Sequence, residues 1–327
     1  MAVVGRLCWP ASPWPVRRTV ASDASGKKAT LTAFAANIAV ALAKFVAWLL
    51  TGSASMLAES VHSVADSANQ GLLLLGRRRS RQEANRRHPF GFGRERFFWA
   101  FVVAMVLFSA GGLFALAEGI QKVQTPHKLT SGRWAIGVLV FAFLMESLSL
   151  RTAMVESRAL KHSDESWLGF VKRTSAPELA VVLVEDTGAL LGVVIALGST
   201  TASELTGNSR FDAIGSIAIG VLLIVSAFTL AREMKSLLIG EAAQSMDVHA
   251  IREAILSEPI IAEIEDLRTE QLGPDDILVV GTLRVDSISA AEIYEARTRA
   301  EAGLRSAVPA AQLIYFRMRP TDPVEER

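Results

Sequence analysis

Six stretches of this chain, roughly 29–50, 55–76, 97–121, 133–150, 177–198 and 211–231, are each apolar for close to the about 20 residues that cross a hydrocarbon core. Short charged segments separate them, and no such block remains beyond about residue 241. Half of the residues are apolar; collected into blocks rather than spread evenly, they have the distribution of a membrane protein. The expected architecture is an all-α bundle of six transmembrane helices in residues 29–240. A flexible cytoplasmic tail (1–28) precedes it and a small cytoplasmic α+β domain (241–327) follows.

The net charge of +1 decides nothing, but the placement of Lys and Arg sets an orientation. Arg77, Arg78, Arg79, Arg81, Arg86, Arg87, Arg94 and Arg96 lie between the second and third blocks. Arg151, Arg158, Lys161, Lys172 and Arg173 lie between the fourth and fifth. The first-to-second loop carries none, the third-to-fourth only Lys122, Lys128 and Arg133, and the fifth-to-sixth only Arg210. The positive-inside bias then puts both termini in the cytoplasm of a multi-pass cell-membrane protein, and the Ala- and Arg-rich chain, with no visible targeting segment, makes a bacterial plasma membrane the expected host. The arginine-rich loop is read as a topology and lipid-headgroup feature, with no nucleic-acid partner.

The single cysteine, Cys8, excludes an intrachain disulfide framework or a multi-thiolate metal site. The head that carries it does not read as a signal peptide, because Pro10, Pro13 and Pro15 break its apolar core. After the sixth block, helical spacing over SMDVHAIREAILSE leads into two strands around GPDD. A helix follows, opened by Ser289 and Glu292 in S-x-x-E capping-box spacing, and the alternating LIYFRMR closes the chain as a strand.

An ionisable side chain in a span costs about 2.5 to 3.5 kcal/mol on insertion scales, so it persists where it faces protein or water and has a partner. Residues four apart share a helical face. His62 and Asp66 therefore project together from the second block, with Glu59 one turn away on the same stripe. Glu185 and Asp186 lie about ten residues into the fifth. Bringing His62 and Asp66 against Asp186, with Glu185 as a further oxygen donor, makes a nitrogen-and-oxygen site that suits a first-row divalent cation. Glu59, Glu118 and Glu146 read as structural partners of Lys44 or Arg151. Lys44 reads either as a neutralising charge inside the bundle or as a snorkelling side chain. Asn37 and Asn69 read as interhelical hydrogen-bonding residues, and Asp212 as a helix N-terminal acid with no further role.

Taken in order, HSVAD in the second block, HPFGFGRER before the third, an acidic fifth, FDAIGSIAIGVLL in the sixth and a small α+β tail resemble the cation diffusion facilitator family of divalent-metal transporters. The similarity runs over about 27–320 and is nearest the zinc transporter 9-like branch. That resemblance implies a carrier rather than an enzyme, with no prosthetic group. It implies a homodimer held by a ferredoxin-like cytoplasmic domain, exporting zinc in exchange for protons by alternating access. The family's first ligand pair maps onto His62 and Asp66, and its fifth-span aspartate onto Asp186. Val182 stands where the family has histidine; Glu185, about 100° round the helix, is the nearby substitute. One nitrogen with two or three oxygens is a harder donor set, which brings manganese or iron(II) in beside zinc. His249 is the only histidine after His162, so a regulatory metal site in the tail is not expected. Two other readings stay open: a proton-coupled exporter of organic cations, and a non-transporting metal-responsive membrane scaffold.

Overall fold

The computed structural model describes residues 38, 40–125, 132–158, 161, 165–286 and 289–320. The expected tail 1–28, with Cys8, and Asn37 in the first expected span lie outside them.

Helices dominate the N-terminal two-thirds. They are α1 (Val40–Thr51), α2 (Ala54–Arg79), α3 (Glu95–Gln124), α4 (Gly132–Arg158), the short α5 (Trp167–Arg173), α6 (Pro177–Thr206) and α7 (Arg210–Ile239). Their ends follow local chemistry. Ser53 caps α2, its Oγ accepting from the Met56 amide, and Arg77, Arg78 and Arg79 lie against the negative end of that helix's dipole. Pro177 opens α6, and Gly207, at φ 67°, ends it in the left-handed conformation that glycine adopts without strain. Within α3, Leu107–Leu113 widens into a π-helical stretch. Gly111 and Gly112 there let the helix close on Leu223 and Ile224 of α7.

Among the described residues four helices are long and apolar enough to cross a membrane: α3, Trp134–Arg158 of α4, α6 and α7. The other two expected spans differ for separate reasons. The described part of α1 is short. At 26 residues α2 has the length, about 39 Å at the helical rise, but Glu59, His62, Asp66 and its terminal arginines dilute its apolar character. It keeps its polar face inside instead: Glu59, His62 and Asn69 are all fully buried. The outward faces are apolar, as with Trp134, Phe141, Leu144 and Leu148 on α4 and Val221, Val225 and Phe228 on α7. Apolar area on that scale suits lipid rather than water.

Two apolar cores stack along the helices. One gathers Met56, Ala58, Leu107, Ala142, Val193, Leu223 and Ala227. The other gathers Leu73, Phe97, Val103, Ala153, Val181, Leu183 and Leu230. On α2 the residues between Ala58 and Leu73, on α4 those between Ala142 and Ala153, and on α6 those between Leu183 and Val193 fall between these cores. That layer holds His62, Asp66, Asn69, Glu146, Ser149, Glu185 and Asp186.

Beyond Gly240 come α8 (Ser245–Leu256), β1 (Ile261–Gly273), β2 (Asp276–Val285), α9 (Ala290–Ala307) and β3 (Leu313–Pro320), the helix, strand, strand, helix, strand order read from the sequence. The described strands form one sheet in the order β1-β2-β3. The β1–β2 hairpin is antiparallel, and β3 returns parallel to β2 after α9. Along β2 burial alternates, so Ile277, Val279, Leu283 and Val285 share one face. Ala300 and Leu304 of α9 and Ile251 and Ile255 of α8 join the core on that face. Ser289 stands at the N-cap of α9, where the capping-box spacing places the helix start.

The start of α3 and the loop before it tie this domain to the bundle. Arg96 holds Glu178, at the start of α6, with two hydrogen bonds of 2.6 and 2.8 Å and reaches Asp275 in the β1–β2 turn at 3.1 Å. Arg94 pairs with Glu270. A Cβ on Gly93 would come within 2.6 Å of the Leu272 carbonyl, so glycine allows the loop to lie on the hairpin. On the other side, Gln244 receives a hydrogen bond from Arg173 and donates one to Ser175.

Candidate functional site

The polar layer between the cores is the candidate site, and α2 supplies its centre. His62 Nδ1 lies 3.4 Å from Asp66 Oδ1, as expected for residues one turn apart. His62 is fully buried, and neither of its ring nitrogens has a hydrogen-bond partner among the described residues; the same holds for Asp66 Oδ1. An imidazole needs a donor or acceptor at both nitrogens, and burying one without them costs about 1–3 kcal/mol per group. Such a group calls for a ligand.

Across from it, α6 presents Glu185 and Asp186. Glu185 is buried and accepts a 2.6 Å hydrogen bond from Asn69 Nδ2, which links α2 to α6. Asn69 thus makes the interhelical bond expected of it. Asp186 accepts from Ser149 of α4 at 2.9 Å. Asp66 lies within electrostatic reach of Glu185, Glu146 and Asp186. The four expected ligands are therefore arranged as two pairs, His62 with Asp66 on α2 and Glu185 with Asp186 on α6. Among the described residues no three His, Cys, Asp or Glu side chains are close enough together to hold a metal ion. Val182 packs into the second apolar core.

Beside this layer lies a second polar group. The Lys44 ammonium, fully buried on α1, is 3.0 Å from Glu59 Oε2, 2.9 Å from Ser63 Oγ and 3.4 Å from Glu146 Oε1. Of the two readings of Lys44, the internal countercharge is the one observed. Glu146 pairs with Lys44 rather than with its near neighbour Arg151.

Asp212 does more than terminate a helix. Fully buried at the first turn of α7, it accepts from Ser53 Oγ (2.6 Å), the Ala54 amide (2.7 Å), Ser55 Oγ, Thr200 Oγ1 (3.3 Å) and Lys122 Nζ (3.3 Å). Lys122 also donates to the Gly52 carbonyl. One carboxylate thus joins the α1–α2 turn to α3, α6 and α7. The run of small hydroxyl residues in TGSAS, 51–55, was the available signal, since such residues beside a turn ask for an acceptor. Ser149, Arg94 and Arg96 also escaped the sequence reading, the arginines because they counted only as topology charges.

Residues 30–239 match the family model described as the cation efflux transmembrane domain. Among similar proteins, the human proton-coupled zinc antiporter SLC30A9, mitochondrial, is 34% identical over 232 residues, covering 70% of this chain and 41% of its own. Metal tolerance protein C4 of Arabidopsis thaliana is 32% identical over 260 residues, covering 79% and 57%. The cation-efflux pump FieF of Pectobacterium atrosepticum is 30% identical over 305 residues, covering 90% and 93%. The chain thus spans less than half the length of the SLC30A9 relatives it matches and nearly all of the FieF relative.

Proposed function

The chain belongs to the cation efflux family, a multi-pass membrane carrier family, and from that premise we propose that it exports divalent cations, zinc foremost and manganese or iron(II) after it, in exchange for protons. The observation that carries this reading is the pair formed by fully buried His62 and partly buried Asp66, whose ring nitrogens and Oδ1 have no hydrogen-bond partner among the described residues. The ion is the substrate. His62 supplies the nitrogen donor and Asp66, Asp186 and Glu185 supply oxygens, a borderline-to-hard donor set suited to those metals.

In the arrangement described, the two pairs belong to different helices joined through Asn69 and Glu185. A shell of three or four ligands forms when α2 and α6 close on the ion, and it opens when they separate, as alternating access requires. Protons compete for the same lone pairs, since a carboxylate or imidazole that holds a proton there cannot hold a metal. Arrival of protons from one side thus releases the ion. The carrier has six spans in residues 29–240, with both termini cytoplasmic and a tail at 1–28. It dimerises through residues 241–327, a domain with a ferredoxin-like sheet.

Zinc-dependent proton movement in proteoliposomes tests this. Wild type exchanges zinc for protons, and His62→Ala and Asp66→Ala abolish the exchange while eluting as folded protein. Glu185→Ala lowers it and shifts the preference among zinc, manganese and iron(II). Unchanged flux in His62→Ala, or flux of an organic cation in place of metal, overturns the reading.

A further inference from the structure

The oxygen cage around Lys44 has no part in the mechanism above, yet it is built like a cation site. Three oxygens from two helices, Glu59 Oε2 and Ser63 Oγ of α2 and Glu146 Oε1 of α4, converge on the ammonium nitrogen within 2.9–3.4 Å. The cage is deep: Lys44 and Glu59 are fully buried. Glu59 Oε1 has no partner among the described residues. It lies against α6, so that a Cβ on Gly192 would come within 2.4 Å of it. Two carboxylates and a hydroxyl form an all-oxygen donor set, the type that binds hard divalent ions such as manganese or magnesium without discriminating for zinc. The ligand pair His62–Asp66 begins one residue before Ser63 on the same helix.

We propose that Lys44 is a tethered substitute cation and a specificity determinant: its ammonium fills an oxygen-only dication site formed by Glu59, Ser63 and Glu146. It thereby keeps both carboxylates out of the coordination of the transported ion. A dication entering the layer then meets only the nitrogen-containing set. Because the ammonium is covalently tethered, its hold on the cage does not weaken as the protein is diluted. The inference rests on the metal-transport reading and deepens it.

The test is metal binding to the purified full chain in detergent, by titration calorimetry with zinc and with manganese. Wild type binds zinc in a manner that His62→Ala abolishes. Lys44→Gln gains an additional equivalent of manganese, bound at least about tenfold more tightly than any manganese binding to wild type, and Lys44→Gln/Glu59→Gln loses that gain. A folded Lys44→Gln that gains no manganese overturns the proposal. Glu59→Gln in the wild-type background keeps the decision open to measurement if Lys44→Gln does not fold. Unchanged zinc affinity supports the exclusion of Glu59 from coordination, and a loss of about tenfold or more makes Glu59 a ligand and overturns it. Failure of the transport reading looks different: zinc binding to wild type is then absent or indifferent to His62→Ala, whatever Lys44→Gln does.

Discussion

Asp212→Ala removes a carboxylate on α7 that serves five donors from three other segments of the chain. Hydrogen bonds to a charged acceptor contribute about 1.5–3 kcal/mol each, but neighbouring bonds are not additive. Removing one partner of a buried ion pair costs about 3–5 kcal/mol. Among the described residues Lys122, only 7% exposed, would keep only the Gly52 carbonyl as a partner, and the Ala54 amide would have none. A loss of about 3–5 kcal/mol is therefore expected for alanine. Asp212→Asn separates charge from hydrogen bonding. Its amide oxygen can take the place of Oδ2 toward Ala54 and Lys122. Its NH2 then faces hydroxyls of Ser53, Ser55 and Thr200, which can rotate to accept. Asparagine forfeits mainly the ionic part, and a loss of about 1–2 kcal/mol follows. Equilibrium unfolding in mixed micelles, followed by tryptophan fluorescence, measures both. Losses below about 1 kcal/mol for alanine, or asparagine as harmful as alanine, would refute the assignment of Asp212 as the joint of the four segments.

Four further outcomes follow from the packing and the ion pairs. Gly220→Ala places a Cβ 2.7 Å from the Leu116 amide nitrogen and 3.0 Å from the Gly112 carbonyl oxygen. Both are backbone atoms that cannot turn aside, so α3 and α7 must part at a cost of about 1–3 kcal/mol. Gly198→Ala, with nothing within 4 Å of its Cβ, is neutral or gains up to about 1 kcal/mol in the same unfolding assay. Arg96→Ala cuts the link between Glu178 and Asp275. Hydrogen exchange in the full chain should quicken in the 273–276 turn and leave the centre of α7 unchanged; equal rates in both proteins would show that the link does not hold the hairpin. Arg299→Met removes the guanidinium that hydrogen-bonds Glu258 and holds its carboxyl below the usual carboxylate range. Because the folded state lowers that pKa, the stabilisation is present above the ordinary carboxylate value and disappears as pH falls through the folded value. The difference in α9 protection between variant and wild type should be full at pH 7 and shrink through the acidic range; a difference that grows on acidification contradicts the pairing.

The sequence by itself determined the four long apolar helices, the one-turn spacing of His62 and Asp66, the acidic pair on the fifth block and the αββαβ order of the tail. These rest on local regularities. An apolar block of sufficient length has one favourable way to meet lipid, and a repeat of four residues fixes a shared helical face whatever lies opposite. Tertiary structure decided what lay opposite. That Lys44 takes Glu59 and Glu146, that Asn69 reaches Glu185, that Ser149 holds Asp186 and that Asp212 gathers the α1–α2 turn depend on how far each helix is rotated and slid against partners up to about 160 residues away. A rotation of one residue, about 100°, would exchange those partners without altering any spacing along the chain. Residue periodicity therefore named the charged groups of this polar layer, and helix packing alone assigned which of them neutralise each other and which keep buried atoms without a hydrogen-bond partner among the described residues.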